Sequence, residues 1–449
     1  MTLLKPLKIN INAFHIVFAS IILEFILFYL YYIPETKLLI GDEKRYFRYA
    51  KAVVSGDEWY FSPTWPHIIL SFFLKATKET LVAFQIYQYV LLVFSGFIVK
   101  NIVFRETRNI NSSNLSLAIM LLYPTWLAYS LFLWPEVVHV FLFISVIWIF
   151  NYKYDNNIWL FIGFSFIGLM LLFKGLIVLF IPVFLIPLYI NLPVKQAILK
   201  IVVGVFVTIL VISPVSIEAH KMSGSWMPSN SSMYNLWLGL RDYTRTLTIS
   251  TQAIKKKKMR GDYHKYLLSA ETYQERNALL VDKIKKYISE KGIVSILTNQ
   301  LSKQYFRLFD YKSKFYMQFQ KGYKPEKKGF IIDLILVYNN VVYGATLLAL
   351  FLGSILYFKK SIITVQFTLF TLYIFGLFLL LHTIARFRIP LVPLSAFYIG
   401  FLYNYFPNLH NKTNSKKYWI KVMSLIFLLL IVLFVMFAGV YLDKVMPIN

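Results

Sequence analysis

Two adjacent carboxylates, Asp42 and Glu43, follow the first long apolar segment of the chain. A carboxylate at the end of a membrane span carries a high free-energy cost unless it is solvated or has a functional role. A carboxylate there suits a general base that takes a proton from a hydroxyl or an amine. The alternative for Asp42 is structural, because aspartate is a favoured N-cap of an α-helix.

A third acid, Glu136, lies in the short turn Trp134-Pro135-Glu136, at the start of another apolar segment. The helix dipole favours an acid at a helix N terminus, so its position has a purely structural explanation. The functional alternative is a second carboxylate that faces the same cavity as Asp42.

Basic residues supply the complementary charge. Arg386 and Arg388 precede Pro390, which biases the residue before it towards extended backbone. In an extended run the two guanidinium groups would point the same way and could each bind a phosphate bidentately. Lys174 interrupts a long apolar stretch, and in the functional interpretation it would supply a counter-charge for a phosphate at the outer leaflet. Interfacial anchoring of the arginines and snorkelling of the lysine are the alternatives.

Other polar side chains suit substrate binding. Tyr46 follows the acidic pair, and His67 follows two prolines and a tryptophan at the start of a short apolar run. A lone histidine in such a place is more often packed than catalytic. Asn235 belongs to a stretch of small polar residues followed by aromatics, a composition that suits sugar hydroxyls and sugar faces but also an ordinary loop.

The elements that must position these residues are membrane helices. Of 449 residues, 58% are hydrophobic and only 15% are charged, and apolar runs near 20 residues recur. This length matches a bilayer core of about 30 Å, whereas a barrel would show short alternating segments. We therefore predict an all-α polytopic membrane protein. The chain has no cysteine, which excludes disulfides and thiolate chemistry.

Eleven spans are predicted, and the first is expected to be retained rather than cleaved as a signal peptide. The hydrophobic stretch broken at Lys174-Gly175 is interpreted as a hairpin of two short spans. The spans cover residues 11–33, 81–104, 114–130, 137–152, 157–173, 176–191, 198–217, 331–357, 362–382, 389–406 and 418–441.

Lysine and arginine in the short loops fall on one side of these spans, which predicts an N terminus on the cytoplasmic side. The loops predicted to face outward are 34–80, 131–136, 174–175, 218–330 and 383–388. An interfacial helix is expected over residues 43–54. The chain then divides into an N-terminal membrane module (1–217), an outward segment (218–330) and C-terminal membrane helices (331–449).

The outward segment 218–330 holds 22 Lys or Arg and only nine Asp or Glu. Long loops cross the membrane largely regardless of charge, so this does not overturn the predicted orientation. Helices are expected near 262–290 and 292–309. The net charge of +26 indicates orientation and anionic headgroups rather than nucleic acid, because the basic residues are scattered among the spans.

Together, acids and cations at one membrane face indicate a reaction at a lipid phosphate. A carboxylate would deprotonate an acceptor, which attacks the anomeric carbon of a sugar carried on a polyprenyl phosphate. Arginine and lysine would stabilise the departing phosphate. No nucleotide-binding motif is present or needed.

The order of these motifs resembles the GT-C superfamily of membrane glycosyltransferases, in the branch of protein O-mannosyltransferases and the lipid A aminoarabinose transferase. The matching features are Gly41-Asp42-Glu43, the stretch from Pro124 to Glu136, Leu171 to Gly175, Asn230 to Gly239 and Arg386 to Pro393. The resemblance implies Asp42 as the base, assisted by Glu43 or Glu136. It implies further that Lys174, Arg386 and Arg388 hold the lipid phosphate.

The expected protein is thus an inverting glycosyltransferase of a bacterial-type plasma membrane, with its site on the extracytoplasmic side. Its partners would be a polyprenyl-phosphate-linked sugar, a glycan, lipid or protein acceptor, and membrane lipids. Some relatives use a divalent metal and others do not, so a metal stays open as a cofactor. A polysaccharide polymerase or ligase fed by lipid-linked sugar, and a lipid or glycan transporter, are the alternative functions.

Overall fold

The computed structural model describes residues 12–31, 39, 42–55, 64–77, 80–223, 226, 232–240, 269, 272–301, 305–309, 329–381, 385–410, 427 and 429–434. Within these ranges every regular element is a helix and no strand occurs. The coarse prediction of an all-α protein is therefore confirmed.

The α-helices fall into three groups along the chain. The first group is α1 (Ala13–Tyr31), α2 (Asp42–Ser55), α3 (Thr64–Ala76), α4 (Val82–Thr107), α5 (Ile110–Leu122), α6 (Pro124–Leu127), α7 (Glu136–Tyr152), α8 (Asn157–Phe173), α9 (Ile181–Phe184), α10 (Ile186–Asn191) and α11 (Val194–Ser223). The second is α12 (Ser232–Leu240), α13 (Tyr273–Lys291) and α14 (Ile293–Asn299), and the third is α15 (Phe330–Leu356), α16 (Ile362–Leu377) and α17 (Val392–His410). Four short 3-10 segments lie between them, at Ala128–Ser130, Gly175–Phe180, Tyr305–Phe309 and Ala385–Leu391.

Helices α1, α4, α11 and α15 are each long and apolar enough to cross a membrane. Shorter apolar helices accompany them, including α5, α7, α8 and α16. The outer faces of α1 and α11 expose large apolar side chains, as expected of helices that contact lipid. The membrane-embedded character is thus supported, while the number of eleven spans stays a prediction.

The predicted span 114–130 is not one helix, which corrects the sequence interpretation. Helix α5 ends at Leu122, Tyr123 is extended, and Pro124 begins the four-residue helix α6. Proline lacks an N–H group and disfavours helical backbone in the residue before it. The Asn339 side chain accepts hydrogen bonds from the Thr125 N–H and hydroxyl at 2.9 and 2.6 Å, so the buried break is satisfied.

The stretch 157–191 is broken where the sequence predicts. Helix α8 ends at Phe173, and Lys174 is extended, with φ −153° and ψ 104°. The following limb is not the single predicted helix but a 3-10 segment followed by α9 and α10. Each of these two short helices has a proline in its first turn, which explains the restarts.

Contacts divide the loops between two ends of the bundle. At one end, called the site end below, the predicted outward loops meet through Glu136, Lys174 and Arg386. At the opposite end the Tyr152 hydroxyl donates to Glu106 at 2.8 Å, and Lys200 donates to the Tyr154 carbonyl at 3.2 Å. These contacts join segments next to loops predicted to be cytoplasmic, so the loops fall into two groups as predicted, and the side that each group faces stays a prediction.

The absence of native cysteine allows a clean test of orientation. Lys283 on α13 and Asp155 before α8 are both exposed. We expect Lys283→Cys to react with a membrane-impermeant maleimide in intact cells, because its segment is predicted to face outward. Asp155→Cys should react only after permeabilisation. If only Asp155→Cys reacts in intact cells, the orientation is the opposite of the predicted one.

Candidate functional site

A buried carboxylate with two cationic partners forms the centre of the site end. Lys174 Nζ and Arg386 Nε lie 2.9 and 3.2 Å from the same oxygen, Glu136 Oε1. The lysine contact is a hydrogen bond, whereas the arginine contact is an ion pair without hydrogen-bond direction from Nε. The Glu136 side chain is 1% exposed, and those of Lys174 and Arg386 are 14% and 11% exposed. We call these three residues the charge cluster.

Each member of the charge cluster comes from a helix boundary. Glu136 is the first residue of α7, Lys174 follows the last residue of α8, and Arg386 lies in the 3-10 segment before α17. Aromatic rings support both cations. The Arg386 guanidinium lies 5.1 Å from the Trp134 ring centroid, and the Lys174 ammonium lies 5.8 Å from that of Phe387.

Side chains from α4 and α2 hold the loop that precedes Glu136. The Gln88 side chain donates to the carbonyls of Ser130 and Phe132 at 3.0 and 2.6 Å. Glu43, which is fully buried, accepts the Leu133 N–H through Oε1 at 3.1 Å. The second residue of the predicted acidic pair thus positions the segment before Glu136.

Arg388 does not join Arg386, which corrects the expectation of converging guanidinium groups. Residues 385–391 form a 3-10 segment instead of extended backbone. With three residues per turn, side chains two positions apart diverge by about 120°. Arg388 is 6% exposed, donates from Nη1 to the Leu308 carbonyl at 3.0 Å, and stacks 4.0 Å from the Tyr343 ring centroid.

The other predicted residues have different surroundings. Asp42 begins α2 and His67 lies in α3, but their side chains are outside the described part of the structure. Tyr46 is 4% exposed and packs in the main apolar core. Asn235 is exposed on α12, whose apolar residues pack against α13 and α14. None of its described contacts reaches the charge cluster.

Three residues near the charge cluster escaped the sequence analysis. The Tyr129 hydroxyl, the Trp134 Nε1–H and both ring nitrogens of His139 are buried and make no hydrogen bond with any described residue. Tyr129 is within electrostatic range of Glu136, Arg386 and Arg388. His139 lies three residues after Glu136, and this spacing on one helix face was the available signal. Buried polar groups of this kind need a hydrogen-bond partner, which a water molecule or a ligand can supply.

Two cavities adjoin these residues. One has an empty volume of about 330 Å³ and is lined by His139 and Lys174 with apolar and aromatic walls from Phe370, Tyr373 and Phe387. The other, of about 360 Å³, is lined by Arg388, Tyr123, Tyr343, Thr346 and Ser395, among others. Lys174 and Arg388 therefore line separate cavities.

Metal ligands do not gather in the described ranges, which hold no group of three His, Asp or Glu side chains able to bind a metal ion. The Asp42 side chain lies outside those ranges, so this statement does not cover the acidic pair.

No protein-family model matches the chain, and the search of curated proteins finds no match. The relationship to the GT-C superfamily therefore stays a proposal that rests on the motifs and on the site.

The charge cluster makes a direct prediction about stability. Glu136→Gln leaves two buried cations without their carboxylate, which costs on the order of 3–5 kcal/mol when such a pair is broken. We expect a clear fall in melting temperature in detergent. Adding Lys174→Met to that variant should restore part of the loss.

The matched control is Glu290→Gln. Glu290 forms an exposed pair with Lys286 at 3.9 Å, and such pairs contribute little to stability. Equal melting temperatures for Glu136→Gln and Glu290→Gln would show that the buried charges are not coupled.

Proposed function

We propose that this protein is an inverting glycosyltransferase that moves a sugar from a polyprenyl-phosphate donor to a cell-envelope acceptor, on the extracytoplasmic side of a bacterial-type plasma membrane. The observation that carries the proposal is the charge cluster of Glu136, Lys174 and Arg386. Buried ionisable groups in a membrane protein are expensive and are a functional-site hypothesis by default.

The charge balance of the cluster favours an anionic ligand. Two cations face one carboxylate, which leaves one positive charge, and both cations are more exposed than Glu136. A phosphate that approaches Lys174 and Arg386 gains charge-assisted hydrogen bonds. The neighbouring cavity is apolar except for Lys174 and His139, a composition that suits an amphiphile with a charged head.

The proposed reaction is a single displacement at the anomeric carbon. Asp42 accepts the proton of the acceptor hydroxyl or amine as the acceptor atom bonds to that carbon. The bond between the carbon and the phosphate oxygen breaks, and its electron pair stays on the polyprenyl phosphate. Lys174 and Arg386 stabilise this leaving group where its negative charge develops. Attack opposite the leaving group inverts the configuration.

The three acids divide the work in this scheme. Glu43 is committed to the Leu133 N–H and supports the loop, so we assign it a positioning role. Glu136 is engaged by Lys174 and orients the cations. Asp42, at the start of α2 one residue before Glu43, is left as the proposed base. Helix α2 would thus hold the base beside the loop that presents the phosphate-binding cations.

The GT-C resemblance supports Asp42 as the base and Lys174 and Arg386 as ligands of the lipid phosphate. The lipid-linked donor also follows from the resemblance, whereas the eleven spans follow from hydropathy, and both are part of this proposal. The grouping of predicted outward loops at the site end is compatible with a single extracytoplasmic site.

The function is tested in a deletion strain complemented with variants. We expect Asp42→Asn and Lys174→Met to lose an envelope sugar that the wild-type protein restores, measured by mass spectrometry of envelope glycans. Lys200→Met is the matched control, because Lys200 binds backbone carbonyls at the opposite end of the bundle. The variants must be present in the membrane at comparable amounts.

The outcomes separate the assignments. Normal glycans with Asp42→Asn would remove Asp42 as the base. Normal glycans with Lys174→Met would remove the proposed phosphate site. An unchanged sugar composition with shortened polymer chains in the deletion strain would point to a polymerase instead.

Glu43 gives a separate prediction. Glutamine keeps an oxygen that can accept the Leu133 N–H, whereas alanine does not. If Glu43 only positions the loop, Glu43→Gln keeps most of the sugar transfer and Glu43→Ala loses at least about tenfold, because a buried N–H is left unsatisfied. Equal loss in both variants would instead indicate that its charge is needed for the reaction.

A further inference from the structure

The cavity at Arg388 is a second polar site that the proposed reaction has not used. Its cation is 6% exposed and is fixed by the Leu308 carbonyl at 3.0 Å and by the Tyr343 ring at 4.0 Å. Tyr123 is a third partner, through a side-chain hydrogen bond to Arg388. The guanidinium is therefore held in place, which lowers the entropy cost of binding a ligand.

The walls of this cavity are suited to a small polar ligand. Thr346 and Ser395 line it, and each donates its own hydroxyl hydrogen to a backbone carbonyl, so the hydroxyl oxygens keep acceptor capacity. Leu347 and Leu350 add apolar surface. A guanidinium with hydroxyls and apolar carbon favours an oxyanion carried on a sugar-like scaffold.

The chain around the cavity attracts the same charge. Leu308 and Phe309 belong to the segment 218–330, which holds 22 basic and nine acidic residues. Such an excess steers anions by long-range attraction. The segment that contributes Phe309 to the cavity wall thus carries a net positive charge in its sequence.

Tyr129 connects this cavity with the charge cluster. Its buried hydroxyl makes no hydrogen bond with any described residue and is within electrostatic range of Glu136, Arg386 and Arg388. Tyr129 thus interacts electrostatically with both arginines, Arg386 of the charge cluster and Arg388 of the cavity.

We propose that the Arg388 cavity binds an oxyanion, a phosphate or a carboxylate, of the acceptor. This inference rests on the proposed function and names its substrate class, an anionic envelope glycan. The donor phosphate and the acceptor anion then occupy different cavities, because Lys174 lines one cavity and Arg388 lines the other.

Ligand binding tests this with protein in nanodiscs of zwitterionic lipid. The probes are glucuronate, inorganic phosphate, polyprenyl phosphate in the bilayer, and neutral glucose as a control, each read as a shift in melting temperature. We expect glucuronate or phosphate to stabilise the wild-type protein and glucose not to do so. Arg388→Gln should raise the half-maximal concentration of the soluble probes at least about tenfold.

Two further variants separate the cavities. Ser395→Val places a bulkier side chain in the cavity wall and leaves Arg388 itself unchanged. It should also weaken the binding of the soluble probes, and it therefore tests the proposal if Arg388→Gln fails to fold. Lys174→Met should keep the binding of glucuronate and lose the binding of polyprenyl phosphate. The proposal is overturned if no soluble oxyanion stabilises the wild type, or if Arg388→Gln and Ser395→Val bind the soluble probes normally. It is likewise overturned if polyprenyl phosphate is the ligand that Arg388→Gln loses.

The result also separates this inference from the proposed function. Suppose that only Arg388→Gln and Ser395→Val lose binding of the soluble probes, while Lys174→Met has normal envelope glycans. The anion site at Arg388 would then stand, and the assignment of Lys174 to the donor phosphate would be rejected. Altered glycans in Lys174→Met with no binding of soluble oxyanions would do the reverse.

Discussion

The rest of the site end depends on one buried carboxylate, Glu136, that two cations from distant parts of the chain must satisfy. Desolvation makes such a group costly, and removing one partner leaves an uncompensated charge. The helices that supply Glu136, Lys174 and Arg386 are therefore held together by an electrostatic requirement as well as by apolar packing. This requirement explains why the charges sit where three chain segments begin or end.

Helix interruptions place the functional groups, and side-chain amides make those interruptions tolerable. Asn339 satisfies the break after Tyr123, Gln88 satisfies the loop before Glu136, and Gln366 donates to the Val183 carbonyl beside α9 at 2.9 Å. Unpaired backbone groups in such an environment cost several kcal/mol each. The polar residues inside the bundle thus serve the irregular backbone that carries the site.

Hydropathy predicted most helices, because the length of an apolar run is a local property. It also located Glu136, Lys174 and Arg386 individually, since charges are conspicuous among apolar residues. It did not pair them, because the contact between residues 136 and 386 depends on tertiary packing. The relation of Arg386 to Arg388 was wrong because it depends on the choice between extended and 3-10 backbone. Tyr129 was missed because only its buried, unsatisfied hydroxyl distinguishes it from an ordinary core residue. His139 was missed although its spacing from Glu136 places both residues on one helix face.

The lengths of the central helices have a consequence for the surrounding lipid. Helices α7 and α8 have 17 residues each, about 26 Å, whereas α11 has 30 residues, about 45 Å. If α7 and α8 span the membrane as predicted, they fall below a hydrocarbon thickness of about 30 Å, and such a mismatch is relieved by thinning of the bilayer or by recession of the helix ends. Glu136 and Lys174 stand at those ends. The charged groups of Glu136 and Lys174 would thus lie where the bilayer is locally thin. A lipid headgroup could contact them there without entering the hydrocarbon core.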